Sequence, residues 1–229
     1  MAQSIRDLPD ALDREGDLEK QLSGKQPAVF LDYDGTLTSI VDRPEDAVIS
    51  ESMRDAVSGL AERCTVCVVS GRDRPVVQEL MGLNNLVVAG SHGFDIWSPE
   101  EGTIEHDAGG GYEELLDETK ARLKEEVGSI EGASIEPKKA SVAVHYRLVS
   151  EDERQKVKQS VDQILSDHPE DLKMTPGKMV YEIQPKLDWD KGKAVLYLLE
   201  TLELDRDDIV PMYLGDDHTD EHAFEALED

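Results

Sequence analysis

The sequence predicts an α/β fold: an open parallel sheet flanked by helices, with a smaller α/β unit inserted into it. Three observations predict this. From residue 28 to residue 89, short apolar runs alternate with helical periodicity, as in a parallel sheet with crossover helices. Beyond a glycine-rich junction at 107–111 the pattern changes to charged helices and alternating strands, which suits a sheet with one face open to solvent. A continuous apolar run then returns at 209–214. The core is therefore expected over 1–107 and 186–229, and the insertion over 108–185.

The elements follow in order. Leu8, Leu12 and either Leu18 or Leu22 suggest a partly amphipathic N-terminal helix. Residues 28–32 read as the first strand. Met53, Val57 and Leu60, spaced i, i+4, i+7, mark a helix. Residues 65–69 form a second strand, 76–81 a short helix and 86–89 a third strand. Residues 94–97 and 102–104 suggest a hairpin. In the insertion, 112–127 reads as a charged helix, 141–146 as a strand, and Ser150-Glu-Asp-Glu153 as a capping box opening a helix to about 166. A strand over 179–183 is closed by Pro185. A helix over 193–204 and a strand over 209–214 complete the core.

The composition is strongly acidic. Lysine and arginine total 24 against 51 aspartates and glutamates, a formal charge of −27. Such a surface repels nucleic acid and anionic membranes. The acid is spread along the chain, and molar salt screens such self-repulsion over about 3 Å, so a halophilic cytosol is expected. No stretch approaches the roughly 20 apolar residues of a membrane helix, and the N-terminus has no apolar signal core. A cytoplasmic monomer is the expectation. The two cysteines, Cys64 and Cys67, read as buried apolar residues on opposite sides of a strand, without the second pair a zinc site needs.

Four strand or helix ends carry polar chemistry. The first strand runs into Asp32-Tyr-Asp34-Gly-Thr, and two carboxylates one residue apart on a regular strand would face one side. Their repulsion calls for a cation or a shared proton, so the pair suggests a hard metal, a nucleophile beside a general acid/base, or both; the alternative is a plain Asp-Gly turn. The second strand ends in Ser70-Gly71-Arg72, Lys191 precedes a helix, and the last strand ends in Gly215-Asp216-Asp217-His-Thr-Asp220. In a parallel sheet these ends share one rim. Carboxylates, a hydroxyl and an ammonium together suit phosphoryl transfer with Mg²⁺. His218-Thr-Asp-Glu221-His222 also fits a zinc-hydrolase pattern, but its place at a loop–helix junction favours surface histidines.

This order of motifs, from Val29 to Asp220, resembles the haloacid-dehalogenase-like (HAD) phosphatases, which implies a Rossmann-like core with an inserted α/β cap. Within them, residues 135–147, Pro176-Gly-Lys-Met179, Glu182, Ser91-His-Gly93 and 215–221 look like the trehalose-6-phosphate phosphatase family. The resemblance implies Mg²⁺-dependent hydrolysis of trehalose 6-phosphate through an aspartyl phosphate. Asp32 would be the nucleophile and Asp34 the general acid, then base. Ser70 and Lys191 would hold the phosphoryl group. Asp32, the Asp34 carbonyl and Asp216 would bind Mg²⁺, supported by Asp217. Gly71, Arg72, His92, Glu136, Lys138, Lys178 and Glu182 would bind substrate, with Lys139 able to replace Lys138. A trehalose-6-phosphate synthase is the implied partner. Relatives usually continue past the final helix, so either the chain is truncated or its core lacks an edge. Alternatives are a phosphatase for sucrose phosphate or mannosylphosphoglycerate on the same fold, or a non-catalytic module regulating a trehalose synthase.

Overall fold

The computed structural model describes residues 12–41, 43–104, 111–177 and 179–228. The part of the expected N-terminal helix around Leu8 lies outside them. A 3₁₀ turn at Leu12–Arg14 leads into α1 (Glu15–Leu22), followed by β1 (Gln26–Leu31), α2 (Glu51–Ala61), β2 (Thr65–Val69), α3 (Arg74–Met81) and β3 (Val87–Gly90). β4 (Asp95–Ser98) and β5 (Gly102–Ile104) form the expected hairpin. The later elements are α4 (Glu113–Glu126), β6 (Ser134–Pro137), β7 (Val142–His145), α5 (Glu151–Asp167), β8 (Leu172–Gly177), β9 (Val180–Pro185), α6 (Lys191–Thr201), β10 (Ile209–Leu214) and α7 (His218–Ala226).

The strands make two sheets. The larger has the order β10-β1-β2-β3-β4-β5, parallel from β10 to β3 and antiparallel beyond. Alternation along its strands divides the apolar side chains between the faces. Ala28, Phe30, Cys67 and Val69 pack with Ala194, Val195, Leu198 and Leu199 of α6. Val29, Leu31, Val66 and Val68 pack with Val57 of α2 and with Val77 and Met81 of α3. Period-2 side chains between two helical layers explain why these strands read as continuous apolar runs. Cys67 and Cys64 fall on opposite faces, as expected of i and i+3, although Cys64 is only half-buried.

The smaller sheet has the order β6-β7-β9-β8, all antiparallel, and its own core. Leu116 and Leu123 of α4 and Val157, Val161 and Ile164 of α5 cover Val142, Val144 and Ile183. β6 and β8 were not expected as strands. Both are edges, both contain a proline and few apolar residues, and β6 buries none of its side chains, so neither stands out as a strand. The capping box expected at Ser150 does not form. Ser150 occupies the N-cap, but its side chain makes no capping bond and donates to Asp152 instead.

Candidate active site

The ends of β1, β2 and β10 and the first turn of α6 meet on one rim of the large sheet. β1 stops at Leu31, so Asp32 lies one residue beyond it, anchored by its N–H to the Leu214 carbonyl at 2.9 Å. Asp190 caps α6 by accepting from the Lys193 N–H at 2.9 Å, which places Lys191 at the helix's first position. The Lys191 ammonium is 3% exposed and donates to Asp32 Oδ1 at 2.7 Å and to Asp220 Oδ1 at 2.6 Å. Burial opposes its charge, but the two carboxylates outweigh burial and hold its pKa above the ordinary lysine range. Burial pushes the Asp32 carboxyl up to about 6, with Lys191 pulling the other way.

Asp220 is fully buried and saturated. Besides Lys191 it accepts from the Tyr213 hydroxyl at 2.6 Å and from the backbone N–H groups of Asp216 and Asp217 at 3.0 and 2.9 Å. Burial would raise its pKa, but Lys191 and these donors hold it below the ordinary carboxylate range. Asp32, Asp216 and Asp220 bring carboxylate oxygens within 4.8 Å of one another. Hard carboxylate oxygens of Asp32 and Asp216 in that space suit a small divalent cation, while the oxygens of Asp220 are taken up by its four donors. Gly35 makes room for the group: at φ +93° its missing Cβ would lie 2.1 Å from Asp216 Oδ2.

Two expected members stand elsewhere. The Asp217 carboxylate caps α7, accepting from the His218 N–H at 2.7 Å, and forms the capping box with Asp220. Asp220, four residues after Asp216, occupies the place in the carboxylate group expected of Asp217; the Asp-Asp-x-x-Asp spacing carried that signal. Asp34 does not share partners with Asp32. It takes a two-pronged bond from Arg72, Nε to Oδ2 and Nη2 to Oδ1, each 2.6 Å. The expectation of one common side assumed that the strand continued through Asp34, and the chain turns before it.

Arg72 also donates to the Pro44 carbonyl at 2.7 Å and lies over the Tyr33 ring. The Ser70 hydroxyl is buried and accepts from the Arg72 N–H at 3.2 Å. His92 adopts φ 57°, with its N–H on the Ser70 carbonyl at 2.8 Å and its carbonyl accepting from Trp189 Nε1 at 3.2 Å. Gly71 leaves room for it, since a Cβ there would meet the imidazole at 2.7 Å and the ring would have to shift.

The small sheet faces this rim. Glu182 Oε1 accepts from Lys138 Nζ at 3.0 Å and from the Ser141 hydroxyl at 2.6 Å, and Lys138 Nζ reaches the Gly71 carbonyl at 3.4 Å. Glu136 pairs with His145 Nε2 at 2.7 Å, and that bond keeps its carboxyl below the usual range. Lys139 points away from this group, to Asp95 at 3.0 Å. Lys178 lies outside the described residues. His218 and His222 are exposed on α7, with His218 Nδ1 3.2 Å from Glu221.

The trehalose-phosphatase family model matches residues 30–229, which includes every one of these positions. The chain belongs to the trehalose-phosphatase family. The probable trehalose-phosphate phosphatase D of Arabidopsis thaliana is 40% identical over 228 residues, covering 96% of this chain and 62% of that protein. The trehalose 6-phosphate phosphatase RA3 of Zea mays is 40% identical over 232 residues, covering 96% of this chain and 64% of that protein. The chain thus spans about three-fifths of the length of these curated relatives. The C-terminal domain of Candida albicans trehalose-6-phosphate phosphatase superposes with a TM-score of 0.73 at 25% identity, covering 93% of this chain and 77% of that one. The core is the HAD-like hydrolase fold.

In this member of the trehalose-phosphatase family, His92 links the site to pH. Burial pushes the His92 imidazole down to about 4, against the pull of Glu182. The unfolded chain takes up a proton there near pH 6.5, and the folded chain does not until about pH 4. His92 therefore subtracts stability as the pH falls through that window. His92→Asn keeps a residue type that tolerates positive φ and removes the titration. Its melting temperature should fall less steeply than the wild type's between about pH 6.5 and about pH 4.5. Equal slopes would mean that His92 protonates freely in the folded protein.

Proposed function

We propose that the protein is a phosphomonoester hydrolase that converts trehalose 6-phosphate to trehalose and phosphate through a covalent aspartyl phosphate. The observation that carries this reading is Lys191 bound between buried Asp32 and Asp220, with Asp216 beside them, on the rim faced by the Lys138–Glu182 pair. Asp32 attacks phosphorus. Asp34 protonates the departing sugar oxygen and then takes a proton from water, one group serving as acid and then base. Lys191 and Ser70 hold the phosphoryl oxygens. Asp32 and Asp216 would hold Mg²⁺, with the Asp34 carbonyl; Asp220 would fix Lys191 and the backbone of Asp216 beside them, and Asp217 would support them by ordering the first turn of α7. The cation supplies charge neutralisation that lets a carboxylate approach a phosphate anion.

In this reading 1–107 with 186–229 is the catalytic core and 108–185 the cap, a division supported by two sheets with separate apolar cores. Glu136, Lys138, Lys178 and Glu182 of the cap, with Gly71, Arg72 and His92 of the core, bind the sugar. Charged groups already paired with each other can exchange those bonds for the many hydroxyls of a disaccharide. Asp32, Asp34, Ser70 and Lys191 are all present, which favours an enzyme over a non-catalytic module. The reading extends to a cytoplasmic monomer with a trehalose-6-phosphate synthase as partner. No helix among the described residues is long and apolar enough to cross a membrane. Phosphate release from trehalose 6-phosphate, sucrose 6-phosphate and glucose 6-phosphate tests the function, with the first expected to be preferred.

The charge of −27 adds a salt-tolerant cytosol to the proposal. Screening of like charges should raise the melting temperature between about 0.1 M and about 2 M KCl. A flat or falling melting temperature would remove the halophilic reading.

A further inference from the structure

We propose that Lys139 is a positioning residue: a latch that holds the tip of the β6–β7 hairpin down on the core and so places the Lys138–Glu182 pair over the phosphate rim without itself touching substrate. The hairpin closes with the Lys138 N–H on the Ser141 carbonyl at 2.9 Å, which puts Lys139 at its tip. From there two bonds leave for the core. The Lys139 N–H donates to Asp73 Oδ1 at 3.2 Å, and its ammonium donates to Asp95 Oδ1 at 3.0 Å.

Both acceptors are built for this contact. Asp73 is the N-cap residue of α3, a position where a carboxylate ordinarily accepts from its own helix. Here it makes no such bond. It accepts instead from the Ser91 hydroxyl at 2.6 Å and from Lys139. Ser91 in turn opens the positive-φ turn that holds His92 against Ser70. Asp95 on β4 is buried and also lies 3.0 Å from Arg74 Nε. One residue of the hairpin thus binds the start of α3 and β4, and reaches the His92 turn through Asp73 and Ser91.

The arrangement can open at little cost. When Lys139 leaves, Asp95 keeps its ion pair with Arg74, and Asp73 keeps the Ser91 hydroxyl. No buried carboxylate is stranded, whereas stranding one would be strongly unfavourable. The Lys139 side chain is 53% exposed, so its ion pair is solvated and breakable. The neighbouring lysines therefore divide the work: Lys138 faces the rim and Lys139 holds the hairpin that carries it. Closure of such a unit excludes water and completes the binding site.

The test uses the full chain with Lys139→Glu, which sets a carboxylate against Asp73 and Asp95, and Lys139→Arg, which keeps the charge. Hydrogen exchange is read by mass spectrometry. Lys139→Glu should exchange about tenfold faster in peptides covering 134–145 and 70–76, with β1 and β2 unchanged, while Lys139→Arg stays close to wild type. The kinetic arm rests on the proposed function. Lys139→Glu should raise KM for trehalose 6-phosphate about tenfold, and by more than it raises KM for para-nitrophenyl phosphate. Unchanged exchange in Lys139→Glu, or equal acceleration by Lys139→Arg, would overturn the latch. Absence of trehalose 6-phosphate turnover in the wild type would strike the proposed substrate only, and the exchange comparison would still decide the latch.

Discussion

Asp32→Asn should lower turnover by about a thousandfold or more while leaving the protein folded. The amide has the carboxylate's shape but is a poor nucleophile. Its oxygen can still accept from Lys191, which also keeps Asp220 at 2.6 Å, so the buried cluster retains its partners. The loss is therefore chemical, and the melting temperature should move little. Asp34→Asn should act at a different step: phosphorylated Asp32 should accumulate because the water that resolves it lacks its base. Acid-quenched samples measured by mass spectrometry distinguish the two. Activity of Asp32→Asn above a tenth of wild type would remove its assignment as nucleophile.

Lys191→Met should cost both activity and stability. The ammonium is the shared donor to Asp32 and Asp220, and all three side chains are nearly inaccessible. Removing one partner from a buried ion group typically costs about 3–5 kcal/mol, because the remaining charges are left uncompensated. In a chain of this length that corresponds to a drop of roughly 10 °C in melting temperature. The penalty should shrink as pH falls, since protonation of the stranded carboxyls relieves it, and it should shrink with added Mg²⁺ if the cluster binds the ion. A Lys191→Met protein as stable as wild type at neutral pH would mean that the cluster does not carry the charge inferred for it.

The core strands were legible because they are buried on both faces, so β2 reads as an apolar run with the bounds found, and β1 within two residues of them. The edge strands β6 and β8 were not, because each is short of apolar residues as well as interrupted by proline; the edge strand β10 also contains a proline but reads as a continuous apolar run. At the site, Asp32, Ser70, Lys191 and Asp216 were legible as polar residues at strand and helix ends. The different duties of Asp217 and Asp220 were not. Both are aspartates near the start of α7, and which one caps and which one turns inward depends on Tyr213 and Lys191, which lie far apart in sequence. The two lysines at 138 and 139 posed the same difficulty, since only the turn of the hairpin decides which faces the rim.

The measurement that tests the central claim most directly is phosphate release by wild type and Glu182→Ala from trehalose 6-phosphate, sucrose 6-phosphate, glucose 6-phosphate and para-nitrophenyl phosphate. Glu182 binds Lys138 and Ser141 and has no bond to Asp32 or Lys191, so its loss should impair recognition of the sugar and spare phosphate chemistry. The account predicts that wild type prefers trehalose 6-phosphate and that Glu182→Ala lowers kcat/KM for it at least about tenfold more than for para-nitrophenyl phosphate. Equal efficiency on all three sugar phosphates, or an equal loss on every substrate, would contradict it.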